Sequence, residues 1–308
     1  MRQLLSLALA GLLAAPLAAK DKDVFDYDGQ KSAPDEMTKV VFIGDAGTHG
    51  PPGNHEFMAG SMYIARQLNA AYDDVHAVVY SSKNWPKDLS HADAIIVSLN
   101  HGGKAAKDAN ILAATRKGAG FMAIHYGVEV NKGEEGDNYL NWMGGYFEKD
   151  WSVNPWWVAK FDKFPDHPTS RGVKPFSIRD EWYYHMRFPE SMKGVTPVLS
   201  ALPPLNTIKK QQSPRAGNPT VYKKVSDGQP QVLSWAYERP DGGRGFGFTG
   251  LHLHSNLANP GFRQVLANGA AWVSGKKIPE AGVPTKQLDK DELNALITES
   301  RQAIKDGK

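Results

Sequence analysis

The sequence predicts a doubly wound α/β fold: a mostly parallel sheet with helices on both faces and an aromatic-rich inserted region. Two observations carry this expectation. Stretches that are apolar at every position recur at residues 40–43, 95–97 and 121–124, as strands covered on both faces require. Between them lie segments whose apolar residues return at helical spacing, and that alternation is the pattern of strands joined by crossover helices.

Residues 40–43 form the first strand, which ends at Gly44. A Gly/Pro-rich loop leads to a helix over 56–72, where Phe57, Met62, Ile64, Ala65 and Leu68 recur near helical spacing. Strands follow at 76–80 and 94–99. A helix over 104–117 is ended by Gly118 and Gly120, and 121–125 is again a buried strand. The alternation lapses over 139–231, where Trp142, Trp151, Trp156 and Trp157 sit among Pro and Gly, so this stretch reads as an insertion. Within it, Asp166 is placed to cap a short helix starting near Pro168. Strands return at 232–237 and 245–249, joined by a turn through Pro240, Asp241, Gly242 and Gly243. A helix over 261–273 has Phe262, Val265, Leu266 and Trp272 on its apolar side. The tail, 276–308, carries an amphipathic helix over 289–304, with Asp289 and Glu292 spaced as a capping box. The main domain then spans 39–275, and the polar residues 20–38 read as a linker.

The N-terminus has a different logic. Met1 and Arg2 precede an uncharged apolar run over 4–17, and small residues lead up to Lys20. That order predicts a signal peptide over 1–19, cleaved near Ala18 or Ala19. The run is shorter than the roughly 20 residues a bilayer-spanning helix needs. The expected location is therefore the periplasm or the medium. The 308 residues include no cysteine, which removes disulfides and every thiol mechanism. The net charge is +3 without a basic tract, which argues against nucleic acid as a partner. No glycine-rich dinucleotide fingerprint, P-loop or His-Glu-x-x-His motif is present, so no nucleotide cofactor is expected.

Ligands of open parallel sheets bind at the carboxyl ends of the strands, and here those ends carry histidines. The first strand runs into Asp45, with His49 and His55 in its loop; the 94–99 strand into Asn100 and His101; the 121–124 strand into His125 and Tyr126; the 245–249 strand into His252 and His254. His125 occupies a strand-to-turn elbow, with Gly127 two positions on. It suits a general base, a metal ligand or a donor to a sugar hydroxyl. In the run from Asp180 to His185, Glu181, Tyr183 and His185 would share one face of a strand, as an acid/base pair or as metal ligands. His252 and His254, two apart on an extended segment, would point the same way. The expected catalytic residues are His125, Glu181 and His185. Asp45, Asn100, Tyr126, Tyr183 and Trp182 are expected at the substrate, and His49, His101, His252 and His254 at a divalent metal, zinc first.

An ordered series of segments resembles the ThuA-like (trehalose utilisation) family. It comprises residues 41–44, the 120–125 elbow, Asp166-His167-Pro168, residues 180–184, Gly242-Gly243-Arg244-Gly245 leading to His252, and the closing stretches 259–263 and 268–272. The resemblance covers roughly 39–275. It implies a flavodoxin-like fold related to class I glutamine amidotransferases, with His125 where those enzymes carry a catalytic cysteine. That substitution argues against amidotransfer. It also implies work on disaccharides or on 3-keto-glycosides made by sugar-oxidising partners. A 3-keto group acidifies the adjacent C–H, so a base, His125 or Glu181, would start elimination of the aglycone. The expected function is that of an exported carbohydrate-active enzyme, a lyase or hydrolase, whose partner is a small sugar, with no membrane contact once the leader is removed. The rival expectation is a non-catalytic carbohydrate-binding protein in which the four tryptophans stack on sugar rings.

Overall fold

The structure is a computed structural model that describes residues 22–308. The expected signal peptide and its cleavage site lie outside the described residues. In chain order the elements are α1 (Tyr27–Ser32), β1 (Thr38–Gly44), α2 (Phe57–Ala71), β2 (Val75–Ser81), β3 (Ala94–Ser98), α3 (Gly103–Ala106), α4 (Ala109–Arg116), β4 (Gly120–Ile124), α5 (Glu134–Met143), β5 (Trp156–Phe161), β6 (Phe176–Glu181), β7 (Val195–Ala201), α6 (Pro219–Ser226), β8 (Gln231–Glu238), β9 (Arg244–Phe248), α7 (Pro260–Val273) and α8 (Lys290–Lys305).

Seven strands form one sheet in the order β2-β1-β3-β4-β9-β8-β7. The first five run parallel, and β8 and β7 add an antiparallel edge. The parallel part has the flavodoxin-like order, with its direction switching between β1 and β3. Side chains alternate across the sheet and explain the continuous apolar runs. Val40, Phe42, Ile96, Met122 and Ile124 pack with α2, α7 and α8. Val41, Ile43, Ile95, Val97, Phe121 and Ala123 pack on the other face with α4 and α5. Both faces of each central strand are therefore buried.

The inserted region contributes the hairpin β5–β6, the edge strand β7 and helix α6. The hairpin pairs Trp156 with Glu181, which brings the end of β6 toward the carboxyl edge of the main sheet. The helix expected over 104–117 is two helices. Asp108 interrupts it, because its carboxylate accepts from the N–H groups of Asn110 and Ile111 and so caps α4. The short turn at Pro168–Ser170 is capped by His167, whose ring accepts from Thr169 N, and not by Asp166. The supposed linker is also structured. Gln30 of α1 is fully buried and donates to the carbonyls of Val40 and His76, and Tyr27 donates to Val79 O. These bonds dock α1 on the sheet. At the other end the capping box of Asp289 and Glu292 is formed. Among the described residues no helix is long and apolar enough to cross a membrane.

Gly44 sets how closely α2 approaches β1. A Cβ there would lie 2.8 Å from Met58 Cα, a backbone atom that cannot move without moving the helix. Gly44→Ala should therefore destabilise the fold by about 1–3 kcal/mol through overpacking. Denaturant unfolding checks this, and an unchanged midpoint would contradict it.

Candidate functional site

The loops at the carboxyl edge of the sheet converge with the end of the β5–β6 hairpin. One ligand atom from each of His55, His125, Glu181 and His252 lies within 4.8 Å of the other three. His55 comes from the loop between β1 and α2, His125 from the end of β4, Glu181 from the end of β6 and His252 from the loop after β9.

His125 follows the last residue of β4 with a left-handed backbone, φ +51°, and this turns its ring back under the site. Its Nδ1 faces Thr249 O at 3.0 Å, so Nδ1 carries the proton and Nε2 presents a lone pair. That Nε2 is 3.6 Å from Glu181 Oε2 and 3.4 Å from the Tyr183 hydroxyl. Burial holds its pKa well below the ordinary imidazole value. His55 repeats the arrangement. Its φ is also +51°, its Nδ1 faces His49 O at 2.9 Å, and burial lowers it to about 4. Its Nε2 is buried without a hydrogen-bond partner among the described residues. Left-handed backbone at a residue with a Cβ costs of order 1–3 kcal/mol and persists where surrounding contacts enforce it. Leu251, just before His252, is a third case, with φ +83°.

Glu181 is the anionic member. Asn154 Nδ2 donates to Oε1 at 3.1 Å, His252 Nδ1 donates to Oε2 at 2.8 Å, and the Tyr183 hydroxyl lies 3.3 Å from Oε2. His252 is held at both ends, since its Nε2 meets Asn54 Nδ2 at 2.8 Å. A metal taken by His252 displaces one of these two partners. Burial pushes the Tyr183 hydroxyl well above its ordinary range, so it stays a donor. Beneath Glu181, Asp180 is fully buried. It accepts from the N–H groups of Leu251, His252 and Leu253 and from Asn256 Nδ2, and burial raises its pKa.

Imidazoles around one carboxylate form a ligand set for a borderline-soft divalent ion. The four residues can hold a metal. Two imidazoles are already fixed in one tautomer by a backbone carbonyl, the outer support that metal-bound histidines need. Tetrahedral zinc at its usual bond lengths places ligand atoms about 3.3 Å apart, so binding would draw the 4.8 Å cage inward.

The structure sorts the expected residues. His125, Glu181, Tyr183 and His252 meet in the cluster. Tyr126 is half-buried at the rim, 5.9 Å from the His49 ring and 6.2 Å from that of His101. His49 is exposed and stacks on His55 at 3.6 Å, and the Nδ1 of His101 accepts from Gly103 N. Both stand outside the set of four. Asp45 ties loops together, accepting from Asn100 N, Ser82 Oγ and Gly47 N, while Asn100 itself is exposed.

Three expectations need correction. Trp182, expected at the substrate, is fully buried in the core against Phe161, Phe248 and Phe262, because alternation sends it to the face opposite Glu181 and Tyr183. His185 does not share the face of Glu181. Its φ of +60° turns the chain, and its ring stacks on Trp151 at 4.3 Å. His254 does not point with His252, because a 3-10 turn begins at His254 and buries the ring beside Gly60 of α2. Of the four tryptophans, Trp142 and Trp157 are core residues, and Trp156 is the one whose ring meets the cluster, edge-on to His252 at 4.4 Å. Sequence reasoning saw His55 in its loop without giving it a role and missed Asn54 and Asn154. The strand-end rule was the one signal available for His55.

The topology and this edge cluster define an α/β protein of flavodoxin-like fold with a histidine–carboxylate site. The family model for ThuA, trehalose utilisation, matches residues 49–273, and the chain belongs to that family. Among solved structures it is similar to a ThuA-like protein from Bacteroides uniformis, at 17% identity and a TM-score of 0.51, covering 79% of this chain and 92% of that one. It also matches PurLQS from Thermotoga maritima at 12% identity and a TM-score of 0.39, covering 87% and 99% of the two chains. No curated protein matches the sequence.

The buried histidines outside the cluster make stability depend on pH. Burial lowers His254 and His185 to about 4. Below the unfolded imidazole value of about 6.5 the unfolded chain takes protons that the folded chain refuses. Stability is therefore complete above about pH 6.5 and is lost as pH falls toward 4, by up to about 1.4 kcal/mol per pH unit for each such group. His254→Gln should make that slope shallower by about one proton in urea unfolding between these limits. An unchanged slope would contradict the assignment.

Proposed function

We propose that the protein is an exported, metal-dependent carbohydrate-active enzyme that cleaves 3-keto-glycosides by elimination. The observation that carries this reading is the convergence of His55, His125, His252 and Glu181 in one buried cluster. Membership of a trehalose-utilisation family supports the sugar. The apolar run at 4–17 supports export to the periplasm or medium.

The three imidazoles would hold the ion, zinc first, leaving a fourth position open, as catalytic sites do. A bound ion there supplies stabilisation of negative charge on the keto oxygen. Glu181 is the general base. It takes the C2 proton, the C–H electron pair moves toward the C3 carbonyl, and the enolate then expels the aglycone from C1 as a C1–C2 double bond forms. His252 and Asn154 orient this carboxylate, and Tyr183, as a neutral donor 3.3 Å away, can return a proton to the departing oxygen. His125, fully buried and neutral, is suited to binding rather than to proton transfer.

The test is turnover of a 3-keto-glucoside by the purified chain. Chelation should abolish it and zinc restore it. Glu181→Gln should keep the ion and lose a factor of roughly 10²–10⁴ in kcat, the usual contribution of a general base. Turnover indifferent to chelator and to Glu181→Gln would overturn the mechanism. Sugar binding without turnover would favour a carbohydrate-binding role, in which Trp156 beside His252 supplies the stacking surface.

A further inference from the structure

We infer that Arg301, on the C-terminal helix α8, is a positioning residue for His55. Its consequence for ion binding rests on the metal reading above; its consequence for the His55 ring does not.

The loop over 52–56 supplies two side chains to the site: Asn54, which holds His252, and His55 itself. His55 sits in left-handed backbone, so its contacts must enforce that conformation. Above, His55 N donates to His252 O at 2.9 Å. Below, the next residue anchors the loop. Glu56 Oε1 accepts from Gly53 N at 3.0 Å and from Arg301 Nη2. The Glu56 side chain is 2% exposed and that of Arg301 46%, so the charge partner of a buried carboxylate reaches in from the surface of another helix.

The pattern along α8 fits this role. Lys290, Leu293, Asn294 and Ile297 line a hollow of about 230 Å³ together with Pro52, Gly53 and Asn54. Arg301 lies one turn beyond Ile297 on the same face. Helix α8 thus runs along the histidine loop and ends its contact with a charge-assisted bond into the loop's base. It lies outside residues 49–273, which the family model spans, so part of this site's support comes from the tail. Removing Arg301 leaves the Glu56 carboxylate buried and unpaired, which favours its moving toward water. Gly53 and His55 would move with it.

The experiment compares Arg301→Gln with Arg66→Gln, which breaks an ion pair between α2 and α8 away from the loop, that of Arg66 with Glu299. Imidazole nitrogen NMR of the metal-free proteins reads the His55 tautomer. The wild type and Arg66→Gln should show His55 protonated at Nδ1 alone. Arg301→Gln should show averaging between tautomers, and Arg301→Lys should restore part of the wild-type signal. Zinc affinity by chelator competition should fall roughly 10-fold in Arg301→Gln, the lower range for losing an outer-sphere contact, and hold in Arg66→Gln. An unchanged His55 signal in Arg301→Gln, or an equal change in Arg66→Gln, would overturn the inference. Should Arg301→Gln not fold, the double variant Glu56→Ala/Arg301→Gln, which removes the buried charge together with the acceptor for Gly53 N, takes its place with the same expected readout. If the wild type takes up no zinc, the proposed function fails, while the NMR comparison still decides the role of Arg301.

Discussion

The buried carboxylate of Asp180 is the contact on which the site depends. It has no cationic partner among its hydrogen bonds, so its burial is offset by donors alone: the backbone N–H groups of Glu181, Leu251, His252 and Leu253, and the side-chain amide of Asn256. These bonds give both carboxylate oxygens N–H donors. They also join two segments some 70 residues apart in sequence, the end of the inserted hairpin and the loop after β9. Once that junction is made, the following residue, Glu181, is carried to the opposite side, against His252. The Glu181 carboxylate is thus placed by its neighbour, and the insertion becomes part of the histidine-bearing edge of the sheet.

The histidines around Glu181 illustrate a second constraint. His55 and His125 are buried deeply enough to stay neutral, and each donates Nδ1–H to a carbonyl, His49 O or Thr249 O. Both therefore keep an Nε2 lone pair available at neutral pH, which a solvent-exposed imidazole does only in part. The arrangement is held at a cost in backbone strain, since His55, His125 and Leu251 all adopt positive φ. Strain of this kind clusters where function requires a direction that relaxed backbone does not supply. The sheet, docked helices on both faces and the Asp180 junction provide the stability against which it is set.

Much of the fold was legible because burial on both faces writes itself into sequence. The apolar runs that became β1, β3 and β4 admit few other readings, and the histidines that follow the strands mark the carboxyl edge. That rule singled out His125 and His252, strand alternation singled out Glu181 and Tyr183, and the four meet in the cluster. What failed was the direction of the chain once a strand had ended. His185 and His254 are lost to the site because the backbone turns at φ +60° in one case and into a 3-10 turn in the other. Both outcomes are decided by packing against distant segments, and no local pattern signals them. Trp182 was misplaced by treating every aromatic of a motif as available, although alternation alone puts it opposite Glu181. α1 was missed because its docking uses hydrogen bonds from Gln30 and Tyr27, which a search for apolar periodicity does not detect.

The central claim is that the imidazoles of His55, His125 and His252 hold one ion beside the Glu181 carboxylate. Titration of the metal-free chain with cobalt(II), followed by visible absorption, tests it most directly. One equivalent should bind and give the intense bands of a four-coordinate ion with nitrogen and oxygen ligands, and His252→Ala should abolish them. Weak bands of a six-coordinate, water-rich ion, or full-strength bands in His252→Ala, would contradict the account.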